Sequence, residues 1–377
     1  MKVFLIAGEP SGDKLGAALM AGLRHEVPGI TFAGVGGPLM QAQGIDSLFA
    51  MDELSLMGIA EILPKYRHLK RRIRQTAQAV IAAQPDVLIT IDSPDFCLRV
   101  ARLVKAASTV RTVHYVAPTV WAWRPGRAAK MARHIDHVLA LFPFEPPYME
   151  AAGMDCDFVG HPIATEPPAT QAELDALGLS GPVLVVLPGS RRSEVERLSQ
   201  TFVAAIRASA LPHRVVIPTL PHLAERVASL FAAVSPTLIG LDSPDAASAA
   251  RARFVAMARA DVALAASGTV SLELAAARTP MVVAYDMNWM SRQIISRMLR
   301  TDTVTLVNLV SETRVVPEFI GDACRPEAIG PALAEVAAHP QRQLDALDLT
   351  MTRLGQGGDA PGLRAARAVL ARLPRSN

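Results

Sequence analysis

KVFLIAGEPSGD, residues 2–13, decides how the rest of the chain is read. After Lys2 the run is apolar to Ala7, and Gly8 and Pro10 end it at once. A short apolar run of this kind suits a strand buried on both faces, as in a parallel sheet. The turn then opens a helix expected from about Ser11 to His25, with proline near its first position. One βα unit is thus written in the first residues.

The unit repeats along the chain. Thr31–Val35, Val87–Ile91, Thr112–Val116 and Val138–Leu141 read as strands, with helix-length segments between them, notably Lys65–Ala83 and Cys97–Ala107. His161–Gln171, with Pro162, Pro167 and Pro168, reads as a linker. The rhythm restarts with strands at Val183–Leu187, Val215–Ile217, Leu238–Leu241, Val262–Ala266 and Met281–Ala284. Helices are expected at Ser193–Ser209, Leu223–Ala233, Ala246–Arg259, Val270–Ala277 and finally Pro361–Leu373. The predicted fold class is α/β, with two Rossmann-like doubly wound domains facing across a cleft. The boundaries are placed at 1–163 and 164–357.

Composition excludes several classes. A chain of 377 residues suits two domains. Half its residues are hydrophobic, which excludes a disordered or acidic solvating chain. Net charge is 38 − 35 = +3, too small to imply nucleic acid as a partner. The longest uncharged run, Val27–Ile45, carries Pro28, Pro38 and five glycines, so it cannot form a spanning helix. Val3–Gly8 is too short for the apolar part of a signal peptide. Cys97, Cys156 and Cys324 are few and widely spaced, as for three buried thiols in a reducing cytoplasm.

Ligands of doubly wound folds sit beyond the carboxyl ends of the strands. Four such turns stand out. Glu9, Ser11 and Asp13 surround the first; the two acids favour a sugar hydroxyl or an amine over phosphate, although an ordinary helix cap fits equally. Asp92, after the third strand, is placed to accept a proton from a hydroxyl. In the second half, Gly189, Ser190 and Arg191 offer close backbone approach, a donor and a cation. Ser267, Gly268 and Thr269 form another small polar turn, and Glu273 follows where it could take a ribose diol. Two such turns and a carboxylate in one domain favour a nucleotide diphosphate.

One helix is crowded with bases. Arg67, Lys70, Arg71 and Arg74 share a face, and Tyr66, Leu69, Ile73 and Val80 form a separate apolar stripe. Just upstream lies an apolar stretch with Met57, Ile59, Ile62 and Leu63. A membrane-surface patch and a core-packed helix with a solvated back are both consistent with this pattern. Three further patterns are set aside: His134 and His137 straddle a helix–strand junction, Asp155-Cys156-Asp157 reads as a turn before the linker, and Trp121 and Trp123 read as packing.

Taken in order, AGEPSGD (7–13), GVGGPLM (34–40), LSLMGIAEIL (54–63), IDSPDF (91–96), HYVAPTVWAWRPGR (114–127), FPFE (142–145), VGHP (159–162), LPGSRRSEVE (187–196), ASGTVSLELA (266–275) and TLVNLV (305–310) resemble the lipid-A-disaccharide synthase family over nearly the whole chain. The resemblance implies an inverting, GT-B-like glycosyltransferase. It would join UDP-2,3-diacylglucosamine to 2,3-diacylglucosamine 1-phosphate, giving a β-1′,6-linked disaccharide and UDP. No cofactor and no metal are expected at the chemistry. The family's base falls on Asp92; Glu9, Ser11, Asp13 and Asn308 match substrate positions; Gly189, Ser190, Arg191, Ser267, Gly268, Thr269 and Glu273 match nucleotide positions. The family's C-terminal helix, here 358–377, is expected to return to the N-terminal acceptor domain. Pro10 and Ser93 depart slightly from the family pattern. Expected partners are the two lipid substrates, the surface of the inner membrane from the cytoplasmic side and, as an open alternative, a second copy of the chain. Another UDP-sugar enzyme of this fold and a nucleotide-regulated lipid carrier stay as alternatives.

Overall fold

The structure is a computed structural model that describes residues 1–54, 59–122, 126–287 and 301–373, with the side chains of 59–66 outside the description. The chain divides into two compact units, Met1–Pro162 with Gly357–Asn377, and Ile163–Gln356.

The first unit is built on β1 (Lys2–Ala7), β2 (Thr31–Val35), β3 (Val87–Ile91), β4 (Arg111–Tyr115), β5 (His137–Ala140) and β6 (Asp155–Phe158). All pair in parallel, in the order β2-β1-β3-β4-β5-β6. Its helices are α1 (Pro10–Glu26), α2 (Pro38–Ala42), α3 (Ile59–Ala83), α4 (Pro94–Ala107), α5 (Gly126–Met131) and α6 (Pro146–Glu150). Val3–Ala7 and all of β3 are buried, because helices cover both faces of such a sheet. Ile73 and Val80 of α3 enter the core with Phe96, Val100 and Val104 of α4, and Leu69 packs at its edge. Ala7 is in register with Ile91, so β1 and β3 end level.

The second unit repeats the plan. Its strands are β7 (Val183–Leu187), β8 (Arg214–Pro218), β9 (Thr237–Ile239), β10 (Val262–Ala265), β11 (Met281–Tyr285) and β12 (Glu318–Ile320), in the order β12-β11-β10-β7-β8-β9 and all parallel. Around them lie α7 (Gln171–Ala176), α8 (Arg192–Ser209), α9 (Ala224–Leu230), α10 (Ala246–Arg259) and α11 (Val270–Ala276). Arg251 ties down the proline-dense stretch before α7: it donates to the carbonyls of Pro167 and Pro168 at 2.8 and 2.9 Å and clasps Glu173. Those bonds hold the Glu173 carboxyl down at about 2.

Several details differ from the sequence reading. The short strands β6 and β12 were not anticipated, and α9 stops at Leu230. Asp155-Cys156-Asp157 is not a turn but most of β6. Asp155 pairs with Arg111, Asp157 with His137 at 2.8 Å, and Arg372 reaches both acids at 3.2 Å. Cys97 and Cys156 are buried, whereas Cys324 is only half-buried. No helix among the described residues is long and apolar enough to cross a membrane.

The last helix, Pro361–Ala371, lies against α1. Two glycines allow the contact. A Cβ on Gly22 would come within 2.5 Å of the Gly362 carbonyl oxygen, and one on Gly362 within 2.4 Å of the Ala18 carbonyl oxygen. Arg364 donates to the Phe158 carbonyl at 3.0 Å, and Arg367 pairs with Glu26 at 3.0 Å. The helix is therefore seated mainly by shape, with exposed ion pairs around it. Gly362→Val is expected to destabilise the first unit by about 1–3 kcal/mol through overpacking. Arg367→Ala should cost less than about 1 kcal/mol. Urea midpoints of the two variants would show the order; equal midpoints would mean that the glycine contact is not what holds the helix.

Candidate active site

In each unit the chain changes direction across the sheet at one place, and two neighbouring loops diverge there. Such a switch point leaves a crevice beyond the strand ends. It falls at β7 and β10 in the second unit and at β1 and β3 in the first.

In the second unit, Gly189, Ser190 and Arg191 follow β7, and Ser267, Gly268 and Thr269 follow β10. With Glu273 they line one cavity of about 520 Å³. Gly189 holds φ +109°, and a Cβ there would lie 2.6 Å from Glu194 Oε2. Gly268 holds φ +138° with open space around it. Both positions therefore favour glycine, and both bring bare backbone to the cavity wall. Arg191 stands at the start of α8 with its side chain 75% exposed, pairing with Glu194 at 3.3 Å. The free N–H groups of an eighteen-residue helix open at the same place.

Arg253 of α10 also lines this cavity and pairs with Glu273 at 2.5 Å. The sequence reading missed it. A signal was present: Ala246, Ala249, Ala250 and Arg253 all line the cavity, at the i, i+3, i+4, i+7 spacing of one helix face. A strip of alanines ending in an arginine leaves room for a ligand and supplies a charge.

In the first unit, Asp92 and Ser93 follow β3 with φ +51° and +41°. Asp92 N–H donates to the Tyr115 carbonyl at 3.0 Å, which holds the strained turn to β4. Val116 has φ +88°, an outlier for a β-branched residue. Strain of this kind persists only where the surroundings enforce it, and it gathers at functional sites. Asp92 and Val116 line a cavity of about 450 Å³. Ser93 donates to Glu9 at 3.5 Å, so the turns after β1 and β3 touch. Burial, and then the nearby charges of Asp92 and Glu9, push the Cys97 thiol far up, leaving it an inert core group.

The other expected substrate residues sit differently. Ser11 is exposed on the first turn of α1. Asp13 is 3% exposed, and its carboxylate accepts from the backbone amides of Gly37, Leu39 and Met40 at 2.9–3.0 Å. Asn308 is 1% exposed: its carboxamide donates to Glu318 at 2.8 Å and to the Val316 carbonyl at 3.0 Å, and accepts from Val316 N–H at 3.1 Å. Neither lines either cavity. Both act here as internal clamps, Asp13 on the start of α2 and Asn308 on the approach to β12.

On α3, Arg67, Lys70, Arg71 and Arg74 are exposed and have no carboxylate partner among the described residues. Arg72, on another side, is committed to Glu53 at 2.6 and 2.8 Å and stacks over Phe49. Met57 lies outside the described residues. Ile59, Ile62 and Leu63 are on α3, with side chains outside the description. Trp121 is buried edge-on against Phe144, and Trp123 lies outside the described residues. Among the described residues no three His, Cys, Asp or Glu side chains gather to hold a metal.

Comparison with known proteins shows the family and the fold. The family model described as lipid-A-disaccharide synthetase matches residues 3–360. Lipid-A-disaccharide synthase from Ruegeria pomeroyi is 63% identical, covering 99% of this chain and 96% of its own. That from Rhodospirillum centenum is 46% identical, over 98% and 94%. Among solved structures, UDP-GlcNAc 2-epimerase from Neisseria meningitidis bound to UDP-GlcNAc superposes with a TM-score of 0.60 at 13% identity, over 99% of each chain, which speaks for the fold alone.

The two loop residues of α1 separate by experiment. Asp13→Ala leaves three amides unpaired and is expected to cost about 2–4 kcal/mol, whereas Ser11→Ala should stay within about 0.5 kcal/mol. Urea unfolding of both variants checks this. A stable Asp13→Ala protein would show that the clamp is dispensable.

Proposed function

The chain belongs to the lipid-A-disaccharide synthetase family, and from that premise we propose how its two units divide the reaction. The enzyme is a hexosyltransferase that condenses lipid A precursors. It takes a UDP-linked diacylglucosamine and a diacylglucosamine 1-phosphate, and it releases UDP. The second unit, residues 164–357, binds the UDP-sugar, and the first, residues 1–163 with 358–377, binds the acceptor. The observation that carries this reading is the shared cavity of Gly189, Ser190, Arg191, Ser267, Gly268, Thr269 and Glu273.

As the sugar C1 leaves UDP, negative charge grows on the diphosphate. Arg191, the backbone N–H groups at the start of α8 and Arg253 stabilise that charge where it develops. Glu273, oriented by Arg253, accepts from the ribose hydroxyls. The attacking 6-hydroxyl of the acceptor must lose its proton, and Asp92 takes it. A single displacement then inverts the anomeric carbon and gives the β-1′,6 linkage. Glu9 and Ser11 hold the sugar beside Asp92. No metal is needed in this scheme, since cations and N–H donors already meet the diphosphate.

Both substrates carry acyl chains, so the enzyme works at a membrane surface. We place it peripherally on the cytoplasmic side of the inner membrane, with Arg67, Lys70, Arg71 and Arg74 facing anionic headgroups.

Asp92→Ala is expected to lower turnover by about 10²–10⁴-fold, the span of a lost general base, with UDP binding unchanged. UDP release and calorimetric UDP titration measure the two quantities; near-normal turnover would remove Asp92 from this role. Reversing the charges of Arg67, Lys70, Arg71 and Arg74 should weaken binding to anionic vesicles by at least about 100-fold, at about 1 kcal/mol for each cation. Co-sedimentation that stays unchanged would end the proposal for the basic face.

A further inference from the structure

The cavity beside Asp92 holds more positive charge than a proton acceptor needs. Arg99 and Arg102 reach its wall from α4, and Arg127 and Lys130 reach it from α5. Each pair is spaced i, i+3, so each shares one helix face, and the two faces meet over the same space. None of the four cations has a carboxylate partner among the described residues. Asp92 is the only acid among the described residues of the wall. Several other cations of this unit do find acids: Lys105 pairs with Asp136, Arg72 with Glu53 and Arg111 with Asp155.

Four like charges around one concavity raise its potential and draw in an anion. The volume, about 450 Å³, is that of a small-molecule site rather than a polymer groove. The lining is not all charged. Leu98, Val116 and Met131 supply an apolar wall on which a sugar ring can rest. His134 at the rim is held below the ordinary imidazole range by burial and then by the charge of Arg102, so it adds no cation of its own near neutral pH.

We propose that Arg99, Arg102, Arg127 and Lys130 form the binding site for the phosphate monoester of the acceptor sugar. The inference rests on the assignment of Asp92 as the base. With the 6-hydroxyl at Asp92, the 1-phosphate at the far side of the same ring falls among the four cations. Phosphate recognition then selects the acceptor and sets its direction. A sugar whose C1 already carries a bulky nucleotide, or carries nothing, gains little from this site.

The test compares two acceptors, diacylglucosamine 1-phosphate and the same lipid with a free 1-hydroxyl, in neutral detergent micelles that remove membrane electrostatics. The variants are Arg99→Ala with Arg102→Ala, Arg127→Ala with Lys130→Ala, and the arginine-to-lysine changes at 99, 102 and 127. The alanine pairs should lower kcat/KM for the phosphorylated acceptor by about 10- to 100-fold, as expected for lost charge-assisted hydrogen bonds. They should leave UDP affinity unchanged and leave the slow reaction of the unphosphorylated acceptor unchanged. Lysine at those positions should restore part of the loss. An equal loss with both acceptors, or no loss, overturns the proposal. If Asp92→Ala abolishes turnover while the alanine pairs act normally, only the phosphate site falls. If Asp92→Ala turns over normally, the assignment of the base falls first.

Discussion

A parallel sheet must send its chain back along one face or the other after every strand, and the place where the direction changes cannot be covered by both neighbouring loops. In this protein that constraint acts twice. At β7 and β10 it opens the cavity where glycines bring backbone to the wall, and at β1 and β3 it sets the turn of Glu9 against the turn of Asp92 and Ser93. The proposed catalytic and nucleotide residues lie within a few residues of these strand ends or on the helices that flank them. The buried strands supply the rigidity. With β1 beyond Lys2 and all of β3 buried, and the two strands level at their ends, the loops beyond them have little freedom to drift.

A second layer of side chains fixes the loops without facing a ligand. Asp13 gathers three amides, Asn308 ties its helix to the approach to β12, and Glu145 accepts from the amides of Leu141 and Phe142 just after β5. Burial pushes the Glu145 carboxyl up to about 8. Buried polar groups must be satisfied, so each of these anchors can sit in only one arrangement. A family motif alone does not tell such an anchor from a contact residue, since both are fixed side chains beside the loops.

The sequence made much of this legible. Long apolar strands, proline and glycine turns, and helix periodicity place nearly all the large elements, because those signals are local. The missed elements are those whose support is distant. β6 reads Asp-Cys-Asp-Phe and gains its counter-charges from Arg111 and the far Arg372, with His137 in hydrogen-bond contact with Asp157. β12 is three residues long and completes an edge. The internal hydrogen bonds of Asp13 and Asn308 go to partners outside their own motifs, so they too are not legible locally. The cations of α4 and α5 resemble ordinary solvated charges in sequence, and only folding brings their faces to one cavity.

The first unit is not contiguous in sequence: its last helix follows the whole of the second unit. On the ribosome, therefore, the second unit can finish folding while the first still lacks the helix that fits the glycine notch of α1. The notch on α1 is made long before the helix that fills it. Until residues 361–371 have been made, α1 keeps an open seam, an interval in which aggregation or chaperone capture competes with closure.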